Sequence, residues 1–173
     1  MGIPDEAVLF HSGLLSRQVP TASALEAIVS CHFGIRARVE QLIHRFITLD
    51  PEERTALGKA NYRLGLDAVC GSRVQDIQSM FRLNLGPMSL EAYNRFLPVG
   101  ECIRPLISMV RYVVGIEYEL EIRVILQPAS APPCILGAKG GMAPRLGWST
   151  WITSPGSPIS ADICTTFREA DVA

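Results

Sequence analysis

Apolar and polar positions alternate with two different periods along this chain, and the switch between them predicts the elements. A first helix starts at Pro4, where proline suits the first helical position and Asp5 and Glu6 face the positive end of the helix dipole. Ala7, Phe10 and Leu14 form its apolar face, and Arg17 lies near its end. Pro20 breaks the chain. Ser23 and Glu26 then have the spacing of a capping box, followed by Leu25, Ile28, Val29 and His32 at helical intervals, with Gly34 placed to close the helix in the left-handed conformation. Ile35, Ala37 and Val39 alternate with Arg36, Arg38 and Glu40, the period of a strand, and the pattern slips at Gln41–Leu42 as at a bulge. Residues 48–62 read as a polar connection with a helical turn at 51–57. Residues 67–85 read as two strands around a turn, the second with Phe81, Leu83 and Leu85 on one face. Gly86-Pro87 ends that strand.

Ser89 caps a third helix that carries Leu90, Tyr93, Phe96 and Leu97, and Pro98-Val99-Gly100 interrupts it. A fourth helix covers 101–114, with Ile103, Leu106, Ile107 and Val110 on its core side, Pro105 in its first turn and Gly115 as its stop. The strand at 118–126 has the clearest alternation. Tyr118, Leu120, Ile122, Val124 and Leu126 face one way, and Glu119, Glu121 and Arg123 the other. A short strand pair around Ile135 and 147–152 flanks a flexible loop at 137–141. These elements predict an α+β fold of amphipathic helices packed on a mostly antiparallel sheet, in a single domain over 1–152, with a disordered Ser/Pro/Thr-rich tail at 153–173.

Composition sharpens this picture in one respect. Of 173 residues, 48% are hydrophobic and only 19% charged, against the ~25% usual for soluble domains. Every apolar run is shorter than the ~18 residues of a spanning helix, so the excess apolar surface points to an obligate protein interface. The net charge of −1, from 16 basic and 17 acidic residues, argues against a nucleic-acid binder that relies on a basic surface. The N-terminus has no basic stretch or cleavage site of a signal peptide. Five widely spaced cysteines without a CxxC fit a reducing compartment, as thiols buried like small hydrophobes.

No catalytic set emerges. The histidines His11, His32 and His44 have no metal-ligand spacing, and His32 reads as a packed core or interface residue. The sequence has no nucleophile elbow, and Gly137–Gly141 lacks the order of a phosphate loop. Glu119 and Glu121 resemble an acid/base pair, but Arg123 shares their face, so a salt-bridged surface is the stronger reading. Trp148 and Trp151 read as packing anchors, with ligand stacking as the alternative. Arg73, Gln75, Asp76, Gln78 and Arg82 fall within ten positions. They form either a polar edge on two strands or an ion-paired interface with another subunit.

The segment LGLDAVCGSRVQDIQSMFRLNLGPMSLEAYNRFLP resembles the signature region of the TssG (ImpH/VasB) family, a baseplate subunit of the bacterial type VI secretion system. The stretch from Asp5 to Leu42 resembles the family's helix–helix–strand block, and LGWSTWI its LGW segment. The resemblance runs from Pro4 to Ile152 and matches the C-terminal half of longer family members. Cys31-His32, Phe46, Gln75, Ile77 and Met80 depart from the family's usual residues. The resemblance implies a non-enzymatic scaffold with no cofactor. It would join TssF subunits into a wedge and dock the TssK adaptor, with the spike hub and a TssE-like subunit as further neighbours. It implies a cytoplasmic baseplate at the inner face of the bacterial inner membrane, with no nucleic acid and no membrane insertion. Under it, Arg73, Asp76, Gln78, Arg82, Trp148 and Trp151 are the interface candidates. The alternative is a small-molecule-binding domain or an enzyme using Glu119, Glu121 or His32.

Overall fold

The computed structural model describes residues 5–16, 19–134, 145–151 and 162–172. Its centre is a four-stranded sheet in the order β1-β4-β5-β6, formed by β1 (Ala37–Glu40), β4 (Met80–Met88), β5 (Glu119–Leu126) and β6 (Ile163–Arg168). A separate two-stranded sheet pairs β2 (Arg45–Thr48) with β3 (Arg73–Asp76). The helices are α1 (Asp5–Phe10), α2 (Ser12–Leu15), α3 (Ala22–Phe33), α4 (Leu90–Arg95) and α5 (Ile103–Val114).

The α+β architecture follows the sequence expectation. Two of the three pairings in the main sheet are antiparallel, but the central pair β4–β5 is parallel. Parallel neighbours need a crossover, and α4 and α5 supply it. One face of the sheet is apolar: Phe81, Leu83 and Leu85 of β4 and Leu120, Ile122, Val124 and Leu126 of β5 are buried. They share a core with Leu25 and Val29 of α3, Tyr93 of α4, and Ile103, Leu106 and Val110 of α5. Full burial of one such aliphatic side chain contributes roughly 1.5–3 kcal/mol.

Several local expectations are corrected. The first helix is broken at His11, which is buried, while Leu9 and Phe10 on the predicted apolar stretch are exposed. Pro4 and Arg17 lie outside the described residues. Helix α3 is capped by Thr21, whose hydroxyl accepts the Ala24 N–H, rather than by Ser23. Glu26, freed from the box, reaches across to β1. Gly34 closes α3 at φ 65°, as its position suggested. The expected pairing of β3 with β4 does not form, because β3 pairs with β2 instead. β4 continues through Gly86-Pro87 to Met88 by a register shift between Leu85 and Met88. In place of the predicted helical turn at 51–57 there is a turn at 51–53 followed by an isolated bridge between Ala56 and Ala60.

Gly100 sits in the tight return between α4 and α5, where an added Cβ would lie 2.2 Å from the Arg95 carbonyl oxygen. Residues 145–149 form a turn rather than a strand, and Ile135 and the loop at 137–141 lie outside the described residues. The segment expected to be a disordered tail holds β6. Ile163, Thr165 and Phe167 alternate inward against β5, a period-two signal hidden behind the Ser/Pro-rich residues before it. The five cysteines are unpaired, as expected, but four are exposed and Cys102 is half-buried. Cys31 and Cys164 sit on outward positions of α3 and β6, and Cys70 and Cys134 lie in connections.

Candidate functional site

The sequence-derived candidates separate into three places. The first is the base of an arm formed by residues 43–79, in which β2 and β3 carry a long connection between them. The Asp76 carboxylate accepts the N–H of Gln78 at 2.9 Å, and its other oxygen accepts from Arg45 Nε at 2.8 Å. The backbone donor at Gln78 and the Arg45 guanidinium together hold the Asp76 carboxyl well below the ordinary carboxylate range. Arg45 also pairs with Glu119 of β5, fastening the arm to the main sheet, and these two carboxylates raise its pKa. Gln78 is exposed at the turn, and Arg73 is exposed opposite Thr48 at the far end of β3.

Beyond that base the arm is ordered by polar bonds. Thr55 Oγ1 donates to the Val69 carbonyl and accepts the Val69 N–H. Asn61 donates to the Glu52 carbonyl, Arg54 to the Leu49 carbonyl, and Arg63 pairs with Asp67. Several of its apolar side chains point outward: Leu57 is 88% exposed, Leu64 92% and Leu66 78%, with Phe46 and Tyr62 also exposed.

The second place is the open face of the main sheet. Arg82 lies between Glu121 and Glu40, bonding Glu121 through Nε and Glu40 through Nη1 at 3.0 Å. Partial burial works against the Arg82 cation, but the two carboxylates outweigh it and raise its pKa. Partial burial likewise opposes ionisation of Glu40, yet the Asn84 and Arg82 donors keep its pKa lowered.

The third place is inside. Tyr93 is fully buried, and its hydroxyl lies 2.7 Å from the Trp148 carbonyl and 2.5 Å from Thr165 Oγ1. Burial raises the Tyr93 pKa, against the opposing Thr165 bond. Its ring meets Trp151 edge-on with centroids 5.9 Å apart. Trp148 and Trp151 thus pack half-buried against the core around one tyrosine, next to β6.

The groups named for the enzyme alternative are not brought together. Glu119 and Glu121 are engaged by Arg45 and Arg82, and His32 is exposed on α3 against Phe33. Among the described residues, no cluster of His, Cys, Asp and Glu could hold a metal. An open groove of about 450 Å³ lies at the end of the sheet, lined by Leu25, Val39, Leu42, Phe81 and Tyr118 among others. Sequence reasoning missed Arg45, and it put Glu26 in a capping box and Tyr93 on a helix face without finding their partners. Arg45 and Glu26 act on residues 31 and 13 positions away, and nothing local marks such partners.

The family profile described as type VI secretion, TssG, matches residues 1–153. The chain belongs to the TssG family. Its fold is shared with a chain of a type VI secretion system TssK-TssF-TssG baseplate subcomplex seen by cryo-electron microscopy. That match has a TM-score of 0.71 and 20% identity, and covers 94% of this chain and 67% of the other. A chain of a type VI secretion baseplate complex matches with a TM-score of 0.60 and 18% identity, covering 92% of this chain and 44% of the other. Comparison with curated protein sequences finds no match. No helix among the described residues is long and apolar enough to cross a membrane.

Proposed function

We propose that this TssG-family chain is a non-catalytic structural subunit of the type VI secretion baseplate, joining TssF-type subunits into a wedge and docking a TssK-type adaptor. The observation that carries this reading is the family match across residues 1–153. The two structural relatives, whose complexes contain TssG with TssK and TssF or form the baseplate, support it at the level of the fold. The protein works at the cytoplasmic face of the inner membrane, without inserting into it and without a cofactor.

The physical case is in the arm. Three leucines almost fully in water, on a segment ordered by its own hydrogen bonds, are a shape prepared for a partner. The arm is the adaptor-docking element, and the ion pairs at its base hold it at a fixed angle to the sheet. Co-expression with cognate TssF-type and TssK-type subunits tests this. A stoichiometric complex that survives size-exclusion chromatography is expected. A chain that purifies as a stable monomer and retains neither subunit overturns the reading.

A further inference from the structure

The open face of the main sheet is not uniform in charge. The register places Glu40, Arg82, Glu121 and Arg168 side by side across the four strands, so this row alternates in sign. The next row is Arg38, Asn84, Arg123 and Thr166, and the one after begins with Arg36, whose carbonyl accepts the Gly86 N–H. Neither of these rows contains a carboxylate. All the helices of the core pack on the opposite, apolar face.

Among the described residues, no hydrogen bond or ion pair reaches the exposed side chains of Arg36 and Arg38, and Arg123 bonds only the Thr166 hydroxyl, at 3.3 Å. The carboxylate that acts on this patch is Glu40 of the adjoining row, which attracts Arg123 through space while bonding Arg82 and Asn84. The 17 acidic residues all fall within the described segments, and none is in 135–144 or 152–161.

We propose that this quarter of the sheet face, built on Arg36, Arg38 and Arg123, docks an acidic segment of a neighbouring baseplate protein. Asn84 and Thr166 supply neutral hydrogen-bonding groups between the guanidiniums. Arginine forks pair bidentately with carboxylates, and a flat face holds them at strand spacing, which suits a strand or helix carrying Asp and Glu at alternate or helical intervals. A protein partner is favoured over a nucleic acid or a lipid surface by two features. The net charge of the chain is −1, so no long-range field gathers a polyanion. The adjoining row of Glu40, Arg82, Glu121 and Arg168 is charge-balanced, so the cationic surface stops at three arginines, short of the run of cations that a phosphate backbone needs.

This inference rests on the baseplate reading, and the test separates the two. The tagged full chain is co-expressed with its cognate TssF-type and TssK-type subunits, and retention of each is measured at about 0.1 M and about 0.5 M salt. Four forms are compared: wild type, Arg36→Glu/Arg38→Glu/Arg123→Glu, the milder Arg36→Gln/Arg38→Gln/Arg123→Gln, and an arm variant, Leu64→Asp/Leu66→Asp. Thermal unfolding is recorded for each, and the glutamine variant stands in if the charge-reversed chain does not fold. At low salt, reversal is expected to cut retention of at least one partner about tenfold and neutralisation about threefold, with the differences shrinking at high salt. Unchanged retention of both partners in the reversed or, if needed, the neutralised chain, while the arm variant loses one, overturns the sheet-face proposal and leaves the baseplate reading standing. Failure of the wild type to retain either partner overturns both. Binding of wild type to vesicles containing anionic lipid, or to duplex DNA, that is lost on reversal while both partners stay bound overturns the choice of a protein occupant.

Discussion

The sheet–helix body and the arm are held by different forces. In the body, β4 and β5 bury every inward side chain from Phe81 to Leu85 and from Leu120 to Leu126. Its stability comes from apolar area removed from water, which is roughly proportional to that area and indifferent to direction. In the arm Leu57, Leu64 and Leu66 are in solvent, and the chain is shaped by hydrogen bonds such as Thr55 with Val69. Each of these is worth only about 0.5–1.5 kcal/mol net. The body can therefore fold on its own resources, while the arm's apolar surface gains its stabilisation only when something covers it. The difference separates the part that carries the subunit from the part that is recognised.

The comparison is broken most severely by hollowing out the body. Leu83→Ala, at a fully buried central position, is expected to cost about 2–5 kcal/mol in chemical denaturation. Next in size is Tyr93→Phe. It removes the phenol shared by the Trp148 carbonyl and the Thr165 hydroxyl, which still bond each other at 3.2 Å, a cost of about 0.5–1.5 kcal/mol by the same measurement. In the arm, Leu64→Asp is expected to change folding stability by less than about 0.5 kcal/mol, because the side chain is already in water, while abolishing adaptor retention. A loss of folding stability as large as that of Leu83→Ala would show that the arm is part of the core after all.

The smallest effect concerns pH. The folded pKa of Asp76 lies below its ordinary value of 3.8, so its contribution is present above that value and is lost as the pH falls below it toward the folded pKa. Amide protection in β2 and β3, taken relative to the intrinsic exchange rate at each pH, is therefore expected to fall below about pH 4, ahead of protection in β4 and β5. Asp76→Asn should bring that loss of protection to neutral pH.

Much of the body was legible in the sequence because a half-buried strand writes its own period. The alternation from Leu120 to Leu126, and from Phe81 to Leu85, is what burial of one face demands, and Ser89 and Gly34 mark helix ends by local chemistry. Pairing leaves no such local trace. Nothing near Arg73 reveals that β3 would choose β2, or that β4 and β5 would run parallel. The strand at Ile163–Arg168 was masked by the prolines and serines before it, although its own alternation of Ile163, Thr165 and Phe167 was there to be found. The candidate residues Asp76 and Arg82 were picked out by crowding in sequence, yet their ion-pair partners come from distant strands and place them on different parts of the molecule. Trp148 and Trp151 gave no hint of Tyr93, because a hydrogen bond spanning 55 positions has no sequence signature.

Glu26 and Ser30, on one side of α3, have a consequence for how the subunit behaves before it is assembled. Their side chains accept the outward N–H groups of Val39 and Ala37, at 2.7 and 3.1 Å. Those donors are the ones through which an incoming strand would zip onto the margin of the sheet. With both donors occupied internally, that margin has lost half of the ladder a visitor would use, which works against stray copies stacking there into ribbons while the chain waits for its neighbours.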